Sequence, residues 1–259
     1  MIFKRETQRE IFTSRLIFRA IGILLLLMAW ELASRIHSGL VVASVLDTLW
    51  AGFKLSQDQS FLIQHCAVSL GRVAGALSFA VIIGVGLGMI AGLVPEIRTM
   101  LDPLRWMLMT VPGVVVVVVF MLWFGMGSVM VISIAATLAA PVIYINVADA
   151  MLLVDKKLLE VARVYNFGMI ATLLKIYVMA VAGPFFSALV VAVGNIIRVV
   201  ILAEVLGANE GIGHCLAIAR TVLDTPQLYA LALISMSIAG GLEFFLFRPM
   251  ANKLVWKSI

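Results

Sequence analysis

The sequence predicts an all-α, polytopic membrane protein with six transmembrane helices. Charged residues make up only 13% of the chain, where a soluble domain carries about a quarter. Hydrophobic residues reach 63% and the mean hydropathy is +1.12. The apolar residues gather in stretches near the ~20 residues that a helix needs to cross ~30 Å of hydrocarbon. A surface this apolar faces lipid. One membrane domain spanning residues 1–259 follows, with its core at about 64–250 and a first span plus an outer interfacial helix in 1–63.

The first span is Leu16–Ser34. Ile21 to Ala29 has the look of a signal-peptide core, but Trp30-Glu31 follows it instead of small residues, so the span is read as retained. Val42, Val45, Leu46, Leu49, Trp50 and Phe53 recur at helical steps. They predict an amphipathic helix lying in the outer interface or packed on the outer mouth. Span two, Leu70–Leu93, places a small residue at every fourth position: Ala76, Ala80, Gly84, Gly88 and Gly92. Such a stripe admits a second helix at close range, and packing within the chain is preferred to a dimer seam.

Span three, Leu104–Phe124, contains Pro112-Gly113 and then the run Val114 to Val119. Valines favour strands in water, but a lone strand in lipid leaves its backbone unpaired, so a helix kinked at Pro112-Gly113 is predicted. Span four is Val129–Leu153 and span six is Leu228–Phe247. Span five, Ile176–Leu206, is long for one crossing and should tilt or project beyond the lipid.

Orientation follows from Lys and Arg. Fourteen of the 19 lie in the N-terminus, the second and fourth connections, and the tail. Arg35, Lys54, Arg72 and Arg220 fall on the other side, and Arg198 is mid-span. Both termini and the connection after span four are therefore predicted to be cytoplasmic.

Several chemistries have no residues to carry them. No Gly-x-x-x-x-Gly-Lys-Ser/Thr loop is present, so ATP is not bound by that device. No Gly-x-Ser-x-Gly elbow occurs, and His37, His65 and His214 are scattered. Cys66 and Cys215 read as small hydrophobes. The chain is expected to be neither an enzyme nor a metal protein. Its basic residues sit at segment ends, which is membrane topology rather than nucleic-acid binding.

Ionisable groups inside spans are costly and therefore functional suspects. Glu31, Arg72, Asp149 and Glu243 lie near span ends, where snorkelling or interfacial pairing accounts for them. Arg198 and Glu204 are six residues apart in span five. At roughly 100° per residue they lie about 120° apart, so they form no same-face pair. Arg198 is a candidate pathway residue that would favour an anion, and Pro112 and Gly113 join it as a break in a span. Glu204, Gly207, Gly211 and Gly213 read as a structural turn after span five.

The remaining polar island is 158–168. Leu158, Leu159, Ala162 and Tyr165 share a helical stripe, with Lys157, Glu160 and Arg163 off it. Asn166-Phe167-Gly168 turns the chain, and Met169 to Leu174 opens a second short helix. Glu160-Val161-Ala162-Arg163, with a turn six residues after the glutamate, resembles the Glu-Ala-Ala–x3–Gly coupling motif of ABC-importer permease subunits. Gly194 and the run Ala203-Glu204-Val205-Leu206-Gly207-Ala208-Asn209-Glu210-Gly211-Ile212-Gly213 resemble the signature after span five. Trp30-Glu31, Leu101-Asp102-Pro103-Leu104 and Leu122-Trp123-Phe124-Gly125 are similar to the nitrate/sulfonate/taurine branch, and the resemblance covers roughly 16–250. Three residues depart from the pattern. Val161 replaces an alanine, Asn166 replaces the glycine, and Met179 stands where a proline is usual, with Pro184 further along. Asn is the next-best residue at positive φ, so the turn can survive.

The resemblance implies a permease subunit of an ATP-driven importer in a bacterial or archaeal cytoplasmic membrane. Leu158, Leu159, Glu160, Ala162, Arg163, Tyr165, Asn166 and Gly168 would form a cytoplasmic coupling helix and turn that dock on an ATPase. It implies two ATP-binding subunits using ATP and Mg2+, a second permease copy (identical or closely related), and an extracytoplasmic solute-binding protein. No cofactor would belong to this chain. The implied solute is small, such as a sulfonate, taurine or nitrate. The alternative is an ion-coupled secondary carrier or channel that works without an ATPase. A carrier is often built from inverted repeats, which the sequence does not display.

Overall fold

A computed structural model describes residues 2–247, with side chains from 17 to 244. The basic residues Lys4, Arg5, Arg9, Arg15, Arg248, Lys253 and Lys257, which enter the orientation count, lie outside the described side chains. Ten helices occupy the described residues. They are α1 (Ile2–Ile36), α2 (Val45–Gln57), α3 (Gln59–Leu93), α4 (Pro95–Thr110) and α5 (Gly113–Phe124), then α6 (Ser128–Leu152), α7 (Lys156–Val164), α8 (Met169–Gly207), α9 (Ile212–Thr221) and α10 (Thr225–Gly241). A wider turn, Leu242–Phe247, extends α10.

Five segments are long and apolar enough to cross a bilayer: Ile17–Ile36, α3, α6, α8 and Thr225–Phe244. The expected third span is not one straight helix. α4 and α5 meet at a bend of 105°. Val111 and Pro112 are extended there, because a residue before proline is pushed out of the α region and proline supplies no N–H. The pair makes a broken span or a re-entrant loop, giving five crossings or six among the described residues. α8 runs 39 residues, about 58 Å at 1.5 Å per residue, so it projects well beyond ~30 Å of hydrocarbon.

The core lies where α3, α5, α6 and α8 meet, around Val117, Met130, Ile134, Ile143, Ile196 and Val200. The small-residue stripe of α3 faces α6, inside the chain. A Cβ on Gly84 would stand 2.7 Å from Ile143 Cβ, on Gly88 2.8 Å from Val147 Cβ, and on Gly92 2.7 Å from Met151 Cβ. These glycines let the two helices close to backbone distance, which in lipid replaces the hydrophobic drive available in water. A second cluster joins Phe61, Cys66, Ile212, Ala219 and Leu231, with Cys215 packed against it. Burial pushes the Cys215 thiol up to about 11, so it stays neutral.

α2 begins at Ser44, whose hydroxyl accepts from the Asp47 N–H at 3.1 Å. Its predicted apolar face, Leu46, Leu49, Trp50 and Phe53, is exposed, while Thr48 is buried. α1 touches the rest of the described chain chiefly through Trp30. Trp30 stacks on Tyr229 at 5.6 Å and donates to the Ala43 carbonyl at 3.0 Å.

The ladder makes a directional prediction. Gly88→Ala forces its methyl against Val147 and the Tyr144 carbonyl and should cost about 1–3 kcal/mol. Gly86→Ala, whose methyl meets nothing within 4 Å, should cost none. Thermal unfolding of the two variants in the same detergent checks the difference.

Candidate functional site: a clamp at one end and a knob at the other

The two ends of α8 carry the polar chemistry. At its C-terminal end the Glu204 side chain is completely buried, at 0% exposure, and pairs with Arg72 of α3, which is 4% exposed. Arg72 Nη1 donates to Glu204 Oε1 at 2.8 Å and to the Glu210 carbonyl at 2.7 Å, and its Nε donates to Ser128 Oγ at 3.0 Å. Ser69 Oγ lies 2.8 Å from both Glu204 oxygens and accepts from the Ile212 N–H at 2.9 Å. The Gly213 N–H donates to Glu204 Oε2 at 3.0 Å. The ion pair thus ties α3, α8 and the start of α9 together through Glu204, and α6 through the Arg72–Ser128 bond.

The glycines around it are steric requirements. Gly211 sits at φ +107°, a region that L side chains rarely adopt, and a Cβ there would fall on the Glu204 carboxyl. A Cβ on Gly213 would fall on the Ile201 carbonyl, and one on Gly207 would stand 2.5 Å from Met121 Cε. Next to them the Gly211 N–H donates to His65 Nδ1 at 3.2 Å. His65 and His214 stack with ring centres 6.3 Å apart. Glu204, Gly207, Gly211 and Gly213 therefore belong to one constellation.

Arg72, read from the sequence as a snorkelling or interfacial residue, is instead a buried member of this constellation. Its partner lies 132 positions away, beyond the reach of local spacing. The available signal was two opposite charges at the same end of spans two and five. Glu31 and Asp149 do pair near span ends: Glu31 with Arg35 at 3.3 Å, Asp149 with Arg98 at 2.6 Å.

At the other end α8 follows α7. Asp155 caps α7 by accepting from the Lys157 N–H at 2.9 Å. Asn166, at φ +53°, closes it. The Asn166 N–H donates to the Arg163 carbonyl at 3.0 Å and the Phe167 N–H to the Ala162 carbonyl at 2.8 Å, the paired bonds of a Schellman turn. The expected apolar stripe divides. Ala162 is buried and Leu159 half-buried, but Leu158 and Tyr165 are exposed. Val161, Val164, Met169 and Ile170 are exposed beside them, as are Glu160, Arg163 and Gly168. The result is a knob of mixed polarity. The short helix after the turn covers Met169–Thr172 and runs on through a wider turn at Leu173–Tyr177 into the rest of α8.

Between the ends, Ser187, Val191 and Arg198 are exposed on one face of α8, with Asn195 half-buried among them. Arg198 has no hydrogen bond or ion pair to another described residue. Gly113, at the bend before α5, lies beside the same face: a Cβ there would be 3.8 Å from Cδ2 of Leu202, one turn beyond Arg198. Pro112 is exposed next to it.

A helical bundle with five or six candidate crossings, a buried ion clamp and an outward knob is the frame of a polytopic membrane domain. Residues 84–256 match the family described as the binding-protein-dependent transport system inner membrane component, and the chain belongs to that family. It is 30% identical over 224 residues to the putative aliphatic sulfonates transport permease protein SsuC of Bacillus subtilis, covering 85% of this chain and 81% of that one. It is 26% identical to the taurine transport system permease protein TauC of Escherichia coli, covering 93% and 90%. Its fold is similar to a chain of the inward-facing MetNI methionine ABC transporter, with a TM-score of 0.58 at 16% identity over 75% of this chain and 94% of that one. The chain is thus a multi-pass inner-membrane permease subunit of an ABC transporter, working with a separate ATPase and a substrate-binding protein. The lone carrier or channel is set aside.

The clamp predicts a strong asymmetry between single and paired changes. Glu204→Ala alone leaves Arg72 buried and unpaired and should cost about 3–5 kcal/mol. Arg72→Met combined with Glu204→Leu should cost clearly less than the two single changes added. Denaturation midpoints of Glu204→Ala, Arg72→Met, Glu204→Leu and the double variant provide the measurement.

Proposed function

We propose that this permease carries a small anion of the sulfonate, taurine or nitrate kind, and that α7 is the helix through which its ATPase drives it. One observation carries the coupling assignment. α7 is a properly capped helix that leaves Leu158, Val161, Val164 and Tyr165 exposed, a surface that needs an apolar partner. Glu160 and Arg163 beside them supply polar specificity. In this reading both termini and α7 are cytoplasmic, two permease copies stand side by side, and each docks one of two ATP-binding subunits. ATP and Mg2+ are used by those subunits, with no cofactor in this chain. A binding protein delivers solute at the clamp end.

The pathway runs along the exposed face of α8, beside the break at Pro112-Gly113. A free guanidinium in an apolar span faces water or a partner, since lipid would penalise it. Arg198 attracts an anion there, and the sulfonate and taurine names of similar permeases support that class of solute.

Uptake into vesicles should require ATP and persist with ionophores present. Glu160→Lys and Ala162→Asp should leave the protein in the membrane and abolish that uptake; normal coupling in both variants would refute the assignment of α7. Arg198→Gln should lower anion uptake at least tenfold, the order set by one charge-assisted hydrogen bond of about 1.5–3 kcal/mol. Unchanged uptake in both Arg198→Gln and Arg198→Lys would remove Arg198 from the pathway.

A further inference from the structure

Away from the clamp and the pathway face, a groove of about 160 Å3 opens between α3, α4 and α6. Ile83, Leu87, Leu101 and Leu104 are among its lining residues, together with Tyr144 and Arg105. Ile83, Leu87 and Leu104 are exposed in it, so it opens at the surface of the bundle. One of its polar groups, the Tyr144 hydroxyl, is buried. Tyr144 is 5% exposed, and its hydroxyl has no hydrogen-bond partner among the described residues. Arg105, about a third exposed, donates through Nε to Asp102 at 3.2 Å, and its two Nη groups make no hydrogen bond to another described residue. Next to the groove, Arg98 Nη1 is also buried without a partner, although Nη2 of the same guanidinium is 2.6 Å from Asp149.

Buried donors without acceptors cost free energy, and native structures rarely leave them so. We propose that the groove binds a phospholipid, with an acyl chain against Ile83, Leu87 and Leu104 and phosphate or ester oxygens accepting hydrogen bonds from Tyr144 and Arg105. A phospholipid brings an apolar tail and a set of oxygen acceptors, which together match this lining.

A second copy's α1 is the rival occupant, and its chemistry fits poorly. Between Ile17 and Ile36 its carboxylate is Glu31, which already accepts from Arg35 and from the Val45 N–H. The charges at the groove are balanced, since Arg98 faces Asp149 and Arg105 faces Asp102. Recognition therefore rests on the phosphate and ester oxygens shared by phospholipids, not on net headgroup charge. The proposal goes beyond the transport reading and does not depend on which anion is carried.

The test is lipid retention by the full permease–ATPase complex purified in a mild detergent, read by native mass spectrometry and by phosphate analysis of the extracted lipid. Wild type should retain phospholipid. Tyr144→Phe, which removes only the hydroxyl, should weaken retention about tenfold, and Leu104→Trp, which fills the groove, should abolish it. Leu122→Trp, at an exposed position outside the groove, should retain the wild-type amount. Equal retention in all four proteins, or none in wild type, would overturn the proposal. So would an intermolecular disulfide between Leu104→Cys in one copy and Leu25→Cys in another, since that would put α1 in the groove. ATP-driven uptake measured in parallel reads the transport function separately, so a failure here leaves that reading intact.

Discussion

The bond between Arg72 and Glu204 is the constraint from which much of this structure follows. Two charges at nearly zero exposure are tolerable only if each is met by its opposite and by hydrogen bonds. Glu204 meets that demand through Arg72, Ser69 and the Gly213 N–H. The chain at Gly211 and Gly213 must approach so closely that a side chain there would overlap the carboxylate or the Ile201 carbonyl. Arg72 spends its other donors on Ser128 and the Glu210 carbonyl, which fixes α6 and the loop after α8 relative to α3. A buried pair adds little net stability, and this one links parts of the chain 132 positions apart.

The rest of the molecule grades away from that fixed end. The glycine ladder holds α3 against α6 along their length and ends at Gly92 against Met151, near the last turn of α6. Beyond it, α4 has no buried residue, and α7 buries Ala162 alone. One end of the bundle is therefore locked by charge and backbone contact, while the other presents a capped helix with apolar side chains outward. α8 joins the two, running from the wider turn at Leu173–Tyr177 to Glu204 in the clamp.

Local chemistry was legible wherever neighbours in sequence decide the outcome. The spans could be read because lipid demands continuous apolar helix, and α2 because its apolar residues keep helical steps. Asn166 takes the left-handed turn that a missing glycine would otherwise have supplied. The small-residue stripe marked a close helix contact, though not its partner. The 105° bend exceeded the expected kink, since Pro112 shows where a helix breaks but not how far the next one turns. α9 was not foreseen, because two glycines in the run Gly211-Ile212-Gly213 read as turn; one is the cap and the other the second residue of a helix that begins at Ile212.

By itself, then, the sequence determined that this is an all-α membrane protein, roughly where its spans lie, and, through short motifs, the importer family to which it belongs. Hydropathy, capping and turn preferences act over a few residues and survive in any context. Tertiary structure alone decided that Arg72 answers Glu204, that the α3 stripe closes on α6, and that Arg198 is left without a partner among the described residues, on an exposed face. Each depends on residues tens of positions apart meeting at hydrogen-bond or van der Waals range. In a bilayer the cost of an unpaired charge or a loose helix contact is what selects one such meeting over the others.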